Sequence, residues 1–127
     1  MYDDLEVAKK ILEKYEIKVS DSWDIVEGFE KIVANYAGSK YAVAVDSCTN
    51  AMFLCLKYLN VQENIVIPAK TYVSIPSMIL HAGCKVSFED IEWSGVYQLK
   101  PYPIFDSALR FTEGMYIKDS LQCLSFH

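Results

Sequence analysis

Apolar side chains recur every three or four residues in four segments of the chain, a spacing that predicts four amphipathic helices. The segments are marked by Leu5, Ala8, Leu12 and Tyr15, then by Val26, Phe29, Val33 and Tyr36, then by Met52, Cys55, Leu56 and Leu59, and last by residues 73–82. Asp21, with Asp24 three residues on, is a predicted N-cap for the second helix, and Gly38 stands where that helix should end. Pro76 in the first turn and Gly83 after the end frame the fourth helix.

Short, nearly continuous apolar runs alternate with these helices and predict strands. Residues 41–45 and Ile65–Ile67 are typical of strands buried on both faces. Residues 85–88 are the third predicted strand. Weaker strand candidates are residues 17–19, 103–105 and 121–126. Because strands that alternate with helices form βαβ units, the pattern predicts an α/β domain with a mostly parallel sheet.

Composition narrows the class of protein. The chain has 127 residues, of which 52% are hydrophobic and 23% charged, which argues for one folded domain and against disorder. A formal net charge of −5 argues against a nonspecific nucleic-acid binder. The four cysteines form no C-x-x-C pair and, with His81 and His127, no zinc-like spacing, so we predict no metal site. The acidic start resembles no signal peptide and no apolar run reaches membrane-spanning length, so a cytoplasmic protein without membrane contact is expected.

The turn Ser47-Cys48-Thr49 lies between a predicted strand and a predicted helix. Backbone N–H groups at a helix N-terminus, with hydroxyl donors beside them, can hold a phosphate. Ser and Thr at this position also cap helices without binding anything. The turn alone leaves both interpretations open.

Three further positions carry candidate chemistry. Tyr72 follows the strand at Ile65–Ile67, and its ring can cover a flat aromatic ligand or pack as an ordinary half-buried tyrosine. Asp106 follows the apolar run at 103–105, as a turn residue or as a carboxylate for a cationic ring nitrogen. Ser125 can donate to a phosphate or belong to a frayed terminus, and His127 has no identifiable catalytic partner.

The order of these pieces is more specific than any one of them. They are Phe29-Glu30-x5-Tyr36-x-Gly38-x-Lys40-Tyr41-Ala42-Val43, Ser47-x-Thr49, Ile67-Pro68-Ala69-x-Thr71-Tyr72-x-Ser74, Ala82-Gly83, Asp106-x-Ala108 and Ser125-Phe126-His127. In this order they resemble the N-terminal part of the DegT/DnrJ/StrS family. These are aminotransferases of fold type I that depend on pyridoxal 5′-phosphate (PLP) and act on nucleotide-linked keto-sugars, with roles in polysaccharide biosynthesis.

The resemblance implies a role for each matching residue. Ser47, Cys48 and Thr49 would bind the PLP phosphate with help from Ser125, Tyr72 would stack on the pyridine ring, and Asp106 would pair with the ring nitrogen. It also implies a three-layer sheet flanked by helices. Residues 1–127 would then be one partial large domain, truncated relative to the family, and would assemble as a homodimer.

Three departures from the family pattern accompany this resemblance. The Schiff-base lysine of the family lies three residues beyond the Ser-Phe-His motif, whereas this sequence ends at His127, so no catalytic residue is assigned. Only about a dozen residues separate Ile91 from Pro103, too few for the strand and helix usual in the family. Leu109 replaces a usual Gln or His, and Arg110 next to it could meet an anionic substrate or pair with Asp106.

The sequence therefore predicts a shortened PLP-dependent aminotransferase that resembles those aminating nucleotide-linked keto-sugars with a glutamate-type donor. As given it should be inactive, so whether it is an enzyme is left open. The alternative is a non-catalytic α/β protein that keeps the sheet for binding or assembly. The absence of G-x-G-x-x-G and G-x-x-x-x-G-K-[ST] argues against an unrelated nucleotide-binding domain.

Overall fold

A computed structural model describes residues 4–126, with side chains from Glu6 onward. The side chain of Leu5 and all of His127, both named in the sequence predictions, lie outside the described residues. The chain divides into two compact units, residues 1–44 and residues 45–127. Within the described residues, no helix is both long enough and apolar enough to cross a lipid bilayer.

The first unit contains two helices, α1 (Asp4–Glu13) and α2 (Ser22–Ala37), which confirms the first two predicted helices. The Asp21 carboxylate accepts hydrogen bonds from the N–H groups of Trp23 and Asp24, and the Asp24 carboxylate accepts one from the N–H of Asp21. This reciprocal capping box starts α2 as predicted. Gly38 ends the helix with φ 77°, in the left-handed region where glycine is favoured.

Asp21→Ala should destabilise this unit by about 1 kcal/mol, because two N–H groups at the start of α2 lose their acceptor. Loss of α2 helicity on heating, followed by circular dichroism, measures the effect. Asp21→Ser keeps a capping oxygen and is the matched control. Equal melting of the alanine and serine variants would show that the cap contributes nothing.

The second unit contains α3 (Cys48–Tyr58), β1 (Asn64–Pro68), α4 (Ser74–His81) and β2 (Lys85–Glu89). Three short strands follow: β3 (Tyr97–Gln98), β4 (Ile104–Asp106) and β5 (Leu121–Cys123). Strands β1 and β2 are parallel, as are β4 and β5, whereas β3 pairs antiparallel with β4. The α/β class with parallel strand pairs is thus confirmed.

One antiparallel bridge joins the two sets of strands. The N–H of Val66 donates to the Lys100 carbonyl at 2.9 Å, and the N–H of Lys100 donates to the Val66 carbonyl at 3.0 Å. The order across the unit is therefore β2-β1-β3-β4-β5, with the chain around β3 running against the other four strands. Helices α3 and α4 contact each other and the strands, so they share one face. Leu56, Ile65, Ile79, Leu99 and Ile104 are fully buried in the core of this unit.

Two predicted strands are wrong. Residues 41–45 form no strand, and Tyr41 and Val43 are 73% and 80% exposed. The reason is that their backbone groups bond to side chains: the N–H of Ala44 donates to Glu30 Oε1 at 2.7 Å and the carbonyl of Tyr41 accepts from Ser39 Oγ. Residues 17–19 are also irregular, because the N–H of Ile17 turns back to the Leu12 carbonyl at the end of α1.

Candidate functional site

The candidate residues of the second unit gather at one edge of its sheet. Because β1 and β4 both run opposite to β3, they run in the same direction, and β2 and β5 follow them. All four strands end at this edge, which we call the carboxyl edge. Ligands of open α/β sheets bind beyond such ends. Helix α3 begins there too, because Thr49 Oγ1 lies 2.9 Å from Ser74 Oγ in the first turn of α4.

A buried hydrogen-bond chain occupies the centre of the carboxyl edge. The Tyr97 hydroxyl donates to Asp106 Oδ2 at 2.7 Å and lies 2.6 Å from Thr71 Oγ1. The other carboxylate oxygen, Oδ1, accepts from the N–H of Ala108 at 3.0 Å. Asp106 is 6% exposed and Tyr97 5% exposed. Burial, opposed in part by the Thr71 bond and reinforced by the Asp106 charge, raises the pKa of the Tyr97 phenol, so the hydroxyl keeps its proton.

The Ser47-Cys48-Thr49 turn lies next to this chain. Ser47 is the N-cap of α3, and its hydroxyl oxygen accepts from the N–H of Asn50 at 3.1 Å. Burial first, and the charge of Asp106 second, raise the pKa of the Cys48 thiol to about 12. The Cys48 thiol therefore lies close enough to Asp106 to be influenced by its charge.

The capping interpretation of this turn is confirmed for Ser47. Hydroxyl groups of the turn can still donate hydrogen bonds to a ligand. A hydroxyl whose oxygen accepts a bond still has its own proton to donate. Thr49 and Ser74 share one hydrogen bond, which uses the proton of one hydroxyl. The proton of the other hydroxyl stays available for a ligand. A carboxylate is also close to the turn, since Asp46 accepts from Asn50 Nδ2 at 2.8 and 2.9 Å.

Tyr72 and Ser125 lie on the flanks of the carboxyl edge. Tyr72 follows Thr71 in the loop after β1, with 73% of its surface exposed, so its ring is open to solvent. Ser125 is half-buried and comes two residues after Cys123, which stands opposite Asp106 in the ladder between β4 and β5. Their predicted contacts with a ring and a phosphate stay predictions.

The cationic side chains of Lys70 and Arg110 both have protein partners. Lys70 Nζ lies 3.1 Å from Glu92 Oε1, and both side chains are largely exposed. Arg110 Nη2 donates to the Ser94 carbonyl at 3.0 Å, while both Asp106 oxygens accept from other donors.

A Cβ at Gly95 would lie 2.8 Å from Arg110 Nε, and φ there is 74°, so only glycine suits this turn.

Sequence reasoning missed Tyr97 and the strand that carries it. A signal was available: Gly95 marks a turn, and Tyr97 and Leu99, buried at 5% and 0% exposure, alternate with more exposed neighbours in the period of a strand. The strand is only two residues long. The contact of Tyr97 with Asp106 depends on the pairing of this strand with β4, which the sequence does not predict.

The side chains of the carboxyl edge suit PLP in chemical kind. The beginning of α3 offers backbone N–H groups and hydroxyls of the type that hold a phosphate, Tyr72 presents an open aromatic ring, and the Asp106 carboxylate is buried where a cationic N–H would be its natural partner. One group at the edge already uses that carboxylate, the Tyr97 hydroxyl. Within the described residues, no cluster of three or more His, Cys, Asp or Glu side chains could hold a metal ion.

This chain is similar to a protein family over its first four fifths and to single proteins over about half of its length. The DegT/DnrJ/EryC1/StrS aminotransferase family matches residues 3–104. The spore coat polysaccharide biosynthesis protein SpsC of Bacillus subtilis is 39% identical over 69 residues, which are 53% of this chain and 18% of SpsC. The uncharacterized protein MJ1066 of Methanocaldococcus jannaschii is 33% identical over 66 residues, 50% of this chain and 17% of that protein. The matched segment thus spans less than a fifth of each relative. Since the family match covers well over half of the chain, the chain belongs to the DegT/DnrJ/EryC1/StrS aminotransferase family.

Proposed function

We propose that these residues form part of the cofactor-binding half of a PLP-dependent sugar aminotransferase. The observation that carries the proposal is the buried Asp106 carboxylate at the same sheet edge as the Ser47-Cys48-Thr49 turn. Membership of an aminotransferase family supports it. The polysaccharide biosynthesis role in the name of SpsC supports a sugar as substrate. A nucleotide-linked keto-sugar and a glutamate-type amino donor are the finer part of this proposal and rest on the resemblance to the family.

Each residue has a task that its surroundings favour. The N–H groups at the start of α3 and the hydroxyls of Ser47 and Thr49 bind the phosphate, with the positive end of the helix dipole behind them. Ser125 donates to the same phosphate. Tyr72 covers the ring face and keeps water off it.

Asp106 holds a proton on the ring nitrogen. PLP supplies an electron sink for the substrate carbanion when it is bound, and a carboxylate beside the nitrogen keeps that sink protonated. Burial suits Asp106 to this task, because a charge-assisted hydrogen bond strengthens in surroundings of low dielectric constant. None of the motif positions in residues 1–127 matches the Schiff-base lysine, so we propose that these residues alone do not catalyse transamination.

The remaining features of the family belong to the same proposal. We propose a cytoplasmic homodimer in which residues 1–127 are one part of a three-layer large domain. Apolar side chains exposed on the second unit are consistent with further contacts, since Val73, Leu80 and Phe88 are 73%, 59% and 56% exposed.

Binding of pyridoxamine 5′-phosphate tests the proposal, because this compound lacks the aldehyde that labels surface lysines. We expect saturable binding by fluorescence titration and displacement by inorganic phosphate. Asp106→Asn should weaken binding at least tenfold, since a hydrogen bond to a charged group contributes about 1.5–3 kcal/mol.

Asp119→Asn is the matched control. It removes the same charge from an exposed residue whose φ of 59° asparagine also tolerates, so binding should not change. A folded protein that binds no pyridoxamine 5′-phosphate, or an Asp106→Asn variant that binds like its parent, would contradict the proposal. The first result would favour a non-catalytic binding or assembly protein.

A further inference from the structure

The Tyr97 hydroxyl stands where the sequence predicts a cofactor contact. It donates to Asp106 Oδ2 at 2.7 Å, and the N–H of Ala108 takes Oδ1. Both oxygens of the carboxylate therefore already accept a hydrogen bond. Asp106 is only 6% exposed, so little of the carboxylate is open to a further donor.

Several contacts hold Tyr97 in this place. Tyr97 stands opposite Asp106 in the antiparallel ladder between β3 and β4, so the two side chains share one face. Its ring packs edge-on against Trp93, with centroids 4.7 Å apart, and the Trp93 indole N–H donates to the Lys70 carbonyl at 2.8 Å. Thr71 Oγ1, at 2.6 Å, touches the hydroxyl from the loop after β1.

The connection after Ile91 places Tyr97 at this edge. Between β2 and β4 the chain returns as β3, which runs antiparallel to β4. An antiparallel strand begins at the edge where its parallel neighbours end. Its first residue, Tyr97, is thereby delivered to the carboxyl edge.

We propose that the Tyr97 hydroxyl competes with the cofactor ring nitrogen for the Asp106 carboxylate. The inference rests on the proposed function. In the structure described here Thr71 donates to Tyr97 and Tyr97 donates to Asp106. When a cationic ring N–H takes Oδ2, the Tyr97 proton turns to Thr71 Oγ1, which accepts it because a hydroxyl can reverse its role.

Two substitutions are expected to change cofactor affinity in opposite directions. Tyr97→Phe removes the competitor and keeps the ring packing on Trp93, so pyridoxamine 5′-phosphate should bind about tenfold more tightly or better. Thr71→Val removes the alternative acceptor and ties the Tyr97 proton to Asp106, so binding should weaken. Tyr58→Phe, at an 80% exposed tyrosine of α3, is the control and should leave affinity unchanged.

The results separate this inference from the proposed function. Binding by the parent that depends on Asp106, with no gain in Tyr97→Phe, would overturn the role of Tyr97 and leave the proposed function standing. Binding by neither the parent nor Tyr97→Phe, when thermal melts show both folded, would overturn the two together. Should Tyr97→Phe fail to fold, Thr71→Val decides alone, and affinity equal to or above the parent's would overturn the inference.

Discussion

Replacing Leu56 by alanine should lower the free energy of unfolding by about 2–5 kcal/mol. Leu56 is fully buried, on the side of α3 that packs into the core of the second unit. Its neighbours in that core include Ile65 of β1 and Ile79 of α4, both also at 0% exposure. Truncation of the isobutyl side chain to a methyl group leaves a cavity that this close packing cannot fill, so the cost exceeds that of transferring the removed carbons to water.

Leu54→Ala is the matched control, since Leu54 lies on the same helix and is 50% exposed. It should cost less than about 1 kcal/mol, because half of the side chain is already in water. Denaturant unfolding followed by circular dichroism measures both variants. Equal losses for Leu54→Ala and Leu56→Ala would mean that α3 does not pack against the sheet through the face described here.

The helices were predictable because two independent local signals agree in them. Apolar spacing marks the buried face, and end signals such as the Asp21–Asp24 capping box and Gly38 fix the limits of α2. Both signals act within one or two helical turns. Strand β1 was equally clear, because an isoleucine-rich run between polar turns is typical of a buried parallel strand.

Residues 41–45 show where such local reasoning fails. Their apolar composition is that of a strand. A strand also needs a neighbouring strand to pair with, and the sequence of the segment itself does not determine that neighbour. Here Glu30 takes the N–H of Ala44 and Ser39 takes the carbonyl of Tyr41. Side chains thus bond these two backbone groups, and the apolar side chains of Tyr41 and Val43 stay exposed.

The residues of the candidate site could be proposed from their order along the chain, but their contacts could not. That order points to Asp106 and the Ser47-Cys48-Thr49 turn, whose roles in binding stay predictions. The partners of Asp106 escaped prediction, because Tyr97 reaches it through a register between two strands of two and three residues. Segments so short carry almost no periodic signal.

The stability of the second unit should fall as the pH rises above about 9, and Cys48 should contribute to the change. Its thiol has a pKa of about 12 in the folded chain against an ordinary value of 9.0, because burial and the Asp106 charge disfavour the thiolate. Between these values the unfolded chain has released a proton that the folded chain keeps. Unfolding is then favoured by up to about 1.4 kcal/mol for each pH unit, whereas below pH 9 the contribution of Cys48 is complete and constant.

Other groups add to the same trend and can be separated from Cys48 by mutation. The hydrogen bond with Cys55 and burial raise the pKa of Cys123, and burial raises the pKa of Tyr97 and of Cys84. All three groups therefore also favour unfolding at alkaline pH. Urea unfolding of the reduced protein at pH 8 and pH 10.5 measures the total. Cys48→Ala should reduce the slope by up to about 1.4 kcal/mol per pH unit, and Asp106→Asn should reduce it partly by removing the second cause. If the slope of Cys48→Ala equals that of its parent, the pKa of the thiol is not raised in the folded chain. An unchanged slope in Asp106→Asn would show that the Asp106 charge does not influence the thiol.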